Sequence, residues 1–84
     1  MIISWTEPAW ESYLYWQIND KKILKRINEL VKDIARNPFD GIGKPEPLRF
    51  EFAGKWSRRI NEEHRIVYQV NEKEIIIFQC RYHY

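Results

Sequence analysis

The sequence predicts an α+β fold: one strand, two helices, then an antiparallel meander sheet with the helices packed on one face. Three observations carry this expectation. Apolar residues recur at spacings of three and four between residues 10 and 34, they alternate with polar residues from 48 onward, and a Pro/Gly-rich segment separates the two regimes. With 84 residues, 44% of them apolar and 31% charged, the chain has the composition of a folded globule, so residues 1–84 read as one domain.

Ile2 to Trp5 forms the expected first strand. Thr6, Glu7 and Pro8 then supply a capping hydroxyl and a first-turn proline, which start a helix. Trp10, Tyr13, Leu14 and Ile18 are its apolar positions, and Asp20 caps a second helix after "IND". The aromatic residues Trp10, Tyr13, Tyr15 and Trp16 cover more than one helical face, so an outward ring offers a surface for a partner or for a second copy. In the second helix Ile23, Leu24, Ile27, Leu30, Val31 and Ile34 make one stripe, and Asn37-Pro38 stops it.

Residues 37–47, "NPFDGIGKPEP", hold three of the four prolines and two of the three glycines, and a loop of this length in a small domain is often functional. Four strands should follow, Leu48 to Phe52, Trp56 to Ile60, His64 to Val70 and Glu74 to Tyr82, joined at "AGK", "NEE" and "NEK". Period two places Ile66, Tyr68 and Val70, and likewise Ile76, Phe78 and Cys80, toward the helices. The opposite parity gives the open face Arg65, Gln69, Gln79, Arg81 and His83.

The net charge of +2 is too small to argue for a nucleic-acid partner, but its distribution is uneven: residues 1–20 contain no Lys or Arg, and residues 21–36 contain six. No apolar run approaches the roughly 20 residues that span a bilayer. The start lacks the features of a signal peptide, and Cys80 is the sole cysteine, so the cytoplasm is the expected compartment.

Cys80 and His83 would point to opposite faces of a strand, which makes Cys80 a buried, inert thiol. His64, after "NEE", reads as a solvated turn residue. The two histidines are too far apart in sequence for a metal-ligand spacing, and neither a metal nor another cofactor is expected. Glu46 is the more pointed candidate. Pro45 and Pro47 stiffen its backbone, and Lys44 and Arg49 favour its ionised form, which is what a general base requires. A fixed carboxylate, an imidazole and several arginines on one sheet face are the parts needed for RNA cleavage without a metal. The base takes the 2′-hydroxyl proton, the arginines stabilise the phosphate, and the imidazolium protonates the departing 5′-oxygen.

"GKPEPL", "WSRRI", "EEHRIVYQV" and the terminal "CRYHY" resemble the YoeB (Txe) toxins of bacterial toxin-antitoxin systems, within the RelE/ParE superfamily, and the resemblance covers the whole chain. It implies a RelE-like, microbial-RNase-like fold and a ribosome-dependent mRNA endonuclease that cuts within the A-site codon and inhibits translation. It also implies neutralisation by a YefM-type antitoxin and operator DNA binding only through that complex; a homodimer, through the outward aromatic ring, is a separate expectation. By similarity Glu46 is the general base, His83 the general acid and Arg65 the phosphate stabiliser. Tyr84 would help to place the substrate, with Arg49 and Arg59 as RNA contacts. Family members often have Lys at the position of Arg49, so the charge is kept while the hydrogen-bond geometry changes. Arg58, of opposite parity to Arg59, is expected to lie off the site and to tolerate Lys. The rival readings are a non-catalytic ParE-like toxin that binds DNA gyrase, which leaves Glu46, Arg65 and His83 without a task, and a plain nucleic-acid-binding subunit.

Overall fold

The Thr6 hydroxyl accepts the Ala9 N–H at 3.3 Å and starts helix α1, Glu7–Asn19, directly after strand β1, Ile2–Trp5. Asp20 Oδ1 accepts the N–H groups of Lys22 (3.0 Å) and Ile23 (3.2 Å), so one residue both ends α1 and caps helix α2, Lys21–Arg36. In this computed structural model, which describes residues 1–83, the strands that follow are β2 (Glu46–Pro47), β3 (Trp56–Arg59), β4 (Arg65–Val70) and β5 (Glu74–Gln79).

The sheet order is β1-β5-β4-β3-β2. The last four strands form the expected antiparallel meander, and β1 adds to its edge parallel to β5. The α+β fold class thus stands, with a mixed rather than wholly antiparallel sheet. Ala9 and Trp16 of α1 and Ile27, Leu30 and Ile34 of α2 pack on Ile66, Tyr68, Ile75 and Ile77 of the sheet. Each such buried aliphatic chain contributes about 1.5–3 kcal/mol, which a chain of this size needs. Among the described residues no helix is long and apolar enough to cross a membrane.

Three expectations are corrected. Leu48 to Phe52 is not a strand: pairing ends at Pro47, and Phe50–Phe52 form a 3-10 turn. The Leu48 N–H donates to the Lys55 carbonyl at 2.9 Å, which closes a hairpin, so the residues between must turn rather than extend. In β5 the inward residues are Ile75 and Ile77, not Ile76 and Phe78, because Ile75 pairs with Val70 and Ile77 with Tyr68, before the register shift at Val67/Tyr68. The fifth strand also stops at Gln79 rather than Tyr82. Beyond it Cys80 turns inward, and Arg81 leaves the open face to lay its guanidinium over the Tyr15 ring, 3.7 Å from the centroid.

Candidate active site

The frame of the site is a buried charge. Arg58 is 0% exposed and spans the space between helix and sheet. Its guanidinium donates to Asp33 Oδ2 (2.6 Å), to the Tyr68 hydroxyl (3.1 Å) and to the carbonyls of Asn37, Asp40 (2.9 Å) and Ile42 (3.1 Å). The Tyr68 hydroxyl in turn donates a hydrogen bond to the Pro38 carbonyl at 2.7 Å, and Asp33 also accepts the Ile42 N–H at 3.0 Å. The Arg58 hydrogen bond, then that of Ile42, holds the Asp33 carboxyl below the usual carboxylate range, while burial pushes the Tyr68 hydroxyl upward. The parity expected of Arg58 holds, but its idle role does not: it is the anchor of the long loop, and a buried charge tolerates no loss of partners.

From this anchor the loop is delivered to the sheet edge. The Gly43 carbonyl accepts the Arg59 N–H at 2.7 Å, with Gly43 at φ +79°, where a Cβ would stand 2.7 Å from Leu30 Cδ2. Only glycine fits this approach. Glu46 then pairs with Ser57 on β3, between its two prolines. The pairs Glu46/Ser57, Ser57/Val67 and Arg59/Arg65 share the face of the sheet away from the helices.

The other side of the site comes from the chain's end. His64 is 6% exposed, not solvated as expected, and its Nδ1 accepts the Tyr82 N–H at 2.7 Å. The neutral ring therefore carries its proton on Nε2, 3.4 Å from Glu63 Oε1. The Arg65 N–H donates to the Tyr82 carbonyl at 3.0 Å, so both peptide groups of this residue, at φ +66°, are bound. Trp16 packs on the His64 ring at 4.9 Å between centroids and donates its indole N–H to the Cys80 carbonyl at 2.9 Å. One signal could have revealed His64: it shares the inward parity of Ile66, Tyr68 and Val70.

These two supports bring Glu46, Arg59, Arg65 and His83 around one groove of about 440 Å³, with Lys44 and Ser57. The Arg65 guanidinium is fixed by donation from Nη1 to the carbonyls of Asn61 (2.7 Å), Glu62 (3.2 Å) and His64 (3.1 Å). Among the described lining residues the cations Lys44, Arg59 and Arg65 outnumber the Glu46 carboxylate, which suits a phosphodiester. Arg49 does not line this groove; it lies in an adjoining concavity that shares Glu46 and Pro47. Tyr84 lies outside the described residues. Cys80 is fully buried, its thiol pushed up to about 12 by burial and directed at the Ala9 carbonyl (3.4 Å), as expected of an inert thiol. Among the described residues no three His, Cys, Asp or Glu side chains gather where a metal ion could sit.

Comparison with known proteins gives this arrangement a family. The sequence model of the YoeB-like toxin of bacterial type II toxin-antitoxin systems matches residues 5–84. The chain is 60% identical to Toxin YoeB of Synechocystis sp. PCC 6803, over 100% of this chain and 98% of that protein. Among solved structures, a YoeB/ParE toxin from Agrobacterium tumefaciens superposes with a TM-score of 0.98 at 45% identity over 100% of both chains. YoeB of Staphylococcus aureus, 52% identical, has been solved as a dimer (TM-score 0.94) and in a heterotetrameric complex with YefM (0.93), each covering 100% of this chain and 98% of the other. The chain with its groove of Glu46, Arg59, Arg65 and His83 belongs to the YoeB-like toxin family of bacterial type II toxin-antitoxin systems.

Proposed function

We propose that this chain is an endoribonuclease that cuts translated mRNA in the ribosomal A site, without need of a metal, and so inhibits translation. The observation that supports it best is the convergence of Glu46 and His83, from a loop and from the chain's end, on one cationic groove. Glu46 takes the proton of a 2′-hydroxyl, whose oxygen attacks the adjacent phosphorus. Arg65, with Arg59, stabilises the charge that grows on the phosphate oxygens, and protonated His83 delivers a proton to the departing 5′-oxygen. The products are a 2′,3′-cyclic phosphate and a 5′-hydroxyl. Tyr84 helps to place the substrate, and Arg49 adds an RNA contact outside the groove.

A YefM-type antitoxin is the proposed neutralising partner, by analogy with the Staphylococcus aureus complex, and operator DNA is engaged only through that complex. A second copy of the chain is a further partner, by analogy with the dimer. The cytoplasm, where ribosomes translate, is the proposed setting. The test is translation of a defined mRNA in a purified system with and without the free protein, followed by mapping of 5′ ends. New ends inside the A-site codon are expected. Unchanged mRNA together with inhibited gyrase supercoiling would overturn this reading in favour of a gyrase-directed toxin.

A further inference from the structure

Phe50 is 87% exposed and holds φ at +58°, a left-handed conformation that a bulky side chain adopts at a cost and that glycine would adopt freely. The turn that imposes this conformation is closed by backbone bonds, Phe52 N–H to the Arg49 carbonyl (3.1 Å) and Ala53 N–H to the Phe50 carbonyl (3.0 Å), which need no particular side chain at position 50. Among the described residues Phe50 is not a member of the buried core, so core packing does not account for an aromatic ring at this position. The ring lines the concavity that continues the proposed catalytic groove past Glu46 and Pro47.

The charges in this concavity select its occupant. Among the described residues that line it, Arg49 is the one cation, against the carboxylates of Glu46 and Glu51, so it does not favour a phosphate as the groove with Lys44, Arg59 and Arg65 does. A neutral, flat group next to a phosphate-binding groove matches a nucleobase, which stacks on an aromatic face while its backbone follows the cations. Position sets its polarity. The concavity adjoins the groove at Glu46, on the side of the 2′-hydroxyl, and His83, on the side of the leaving 5′-oxygen, does not line it.

We infer that Phe50 is a stacking subsite for an unpaired RNA base on the 5′ side of the cut, and that it contributes to the base preference there. This rests on the ribonuclease reading above. Three variants test it on translated mRNA. Phe50→Ala and Phe50→Gly should each lower kcat/KM about tenfold, through KM more than kcat, and flatten the preference at that nucleotide, whereas Phe50→Tyr should restore both. Phe50→Gly should melt at or above the wild type, which separates lost stacking from lost folding.

A second readout needs neither cleavage nor ribosome: a short single-stranded RNA carrying 2-aminopurine, added to the protein with Glu46→Gln. Its fluorescence should be quenched with Phe50 or Tyr at the position and not with Ala. Wild-type protein that leaves translated mRNA uncut would defeat the ribonuclease reading, and the quenching would still report on the subsite. Normal cutting with unchanged rate and preference in Phe50→Ala, or quenching that persists in it, would overturn the stacking assignment alone. Loss of YefM-type antitoxin binding in Phe50→Ala without any change in RNA cutting would overturn it too, by showing a peptide surface instead.

Discussion

The backbone N–H of Tyr82 donates to Nδ1 of His64 at 2.7 Å, so one histidine holds the segment that carries the other. Because Nδ1 must accept, the bond needs a neutral His64 ring. His64→Phe keeps a ring against Trp16 but leaves the Tyr82 N–H without its acceptor, at a cost of about 1–3 kcal/mol. Cleavage should fall more than about tenfold, and melting by about 5 °C or more. His64→Asn, which can place an oxygen where Nδ1 stood, should recover part of the rate. Equal cutting by the Phe variant and the wild type would refute a positioning role.

Glu46 is exposed on a two-residue edge strand and is not a member of the buried core cluster among the described residues. Glu46→Ala should therefore melt close to the wild type while cleavage drops by about 10² to 10⁴. Mapping of 5′ ends at matched protein concentrations measures this, and near-normal cutting would remove Glu46 as the base.

Arg65 and Arg58 should separate function from fold. Arg65→Lys keeps the charge but loses the planar donor set, and a loss of about 2 kcal/mol in transition-state stabilisation, roughly thirtyfold in rate, is expected with a modest change in melting. Arg58→Lys should do the reverse of what strand parity alone suggests. One ammonium cannot replace a guanidinium that bonds Asp33, Tyr68 and three carbonyls, so destabilisation on the order of 3 kcal/mol is expected. Thermal melting of the two variants checks both, and a stable Arg58→Lys protein would mean that the loop is anchored elsewhere.

Acid should loosen the same anchor. The Asp33 carboxyl titrates below its ordinary value of 3.8 in the fold, so the unfolded chain binds this proton more readily than the native one. Its contribution to stability is fully present above that ordinary value and is lost as pH falls through the lower, native one. Melting temperature followed from neutral pH downward should decline in this acidic window, and Asp33→Asn, less stable at neutral pH, should decline less steeply. Parallel acid slopes for the two proteins would assign the decline to other carboxylates.

The helices were legible because Thr6 and Asp20 cap them and the α2 stripe has a clear period, with bonds that the structure contains. Glu46, Arg65 and His83 were legible as candidates through their motifs, and the structure brings them to one groove. Two things were hidden. Three consecutive isoleucines at 75–77 carry no alternation, so the face of β5 could be set only by its pairing with β4. Leu48, Phe50 and Phe52 alternate as a strand would, yet the hairpin between Leu48 and Lys55 forces a turn. The roles of Arg58 and His64 are long-range: the partners of Arg58 lie in α2, β4 and the long loop and that of His64 near the chain's end, so local pattern carries no information about them.

His83 stands at the end of a tethered segment. Three anchors lie before it: the Cys80 carbonyl accepts from Trp16, Arg81 lies over Tyr15, and both peptide groups of Tyr82 are bonded. His83 itself is exposed, and among the described residues Cys80 is the last member of the buried core. Deleting His83 and Tyr84 should therefore cost at most about 1 kcal/mol of stability while it abolishes cleavage, because the proposed acid is gone and the frame that held it is not. Deleting from Arg81 onward should cost more, since the bond to His64 and the stack on Tyr15 are lost with it. A C-terminal tag should slow cutting more than an N-terminal one, because β1 enters the sheet at its far edge from the β2 that carries Glu46. Melting and end-mapping on the two truncations and the two tagged proteins distinguish the cases. A shorter truncation that unfolds the protein, or one that still cuts, would make the terminal residues structural or idle and end the assignment of His83 as the acid.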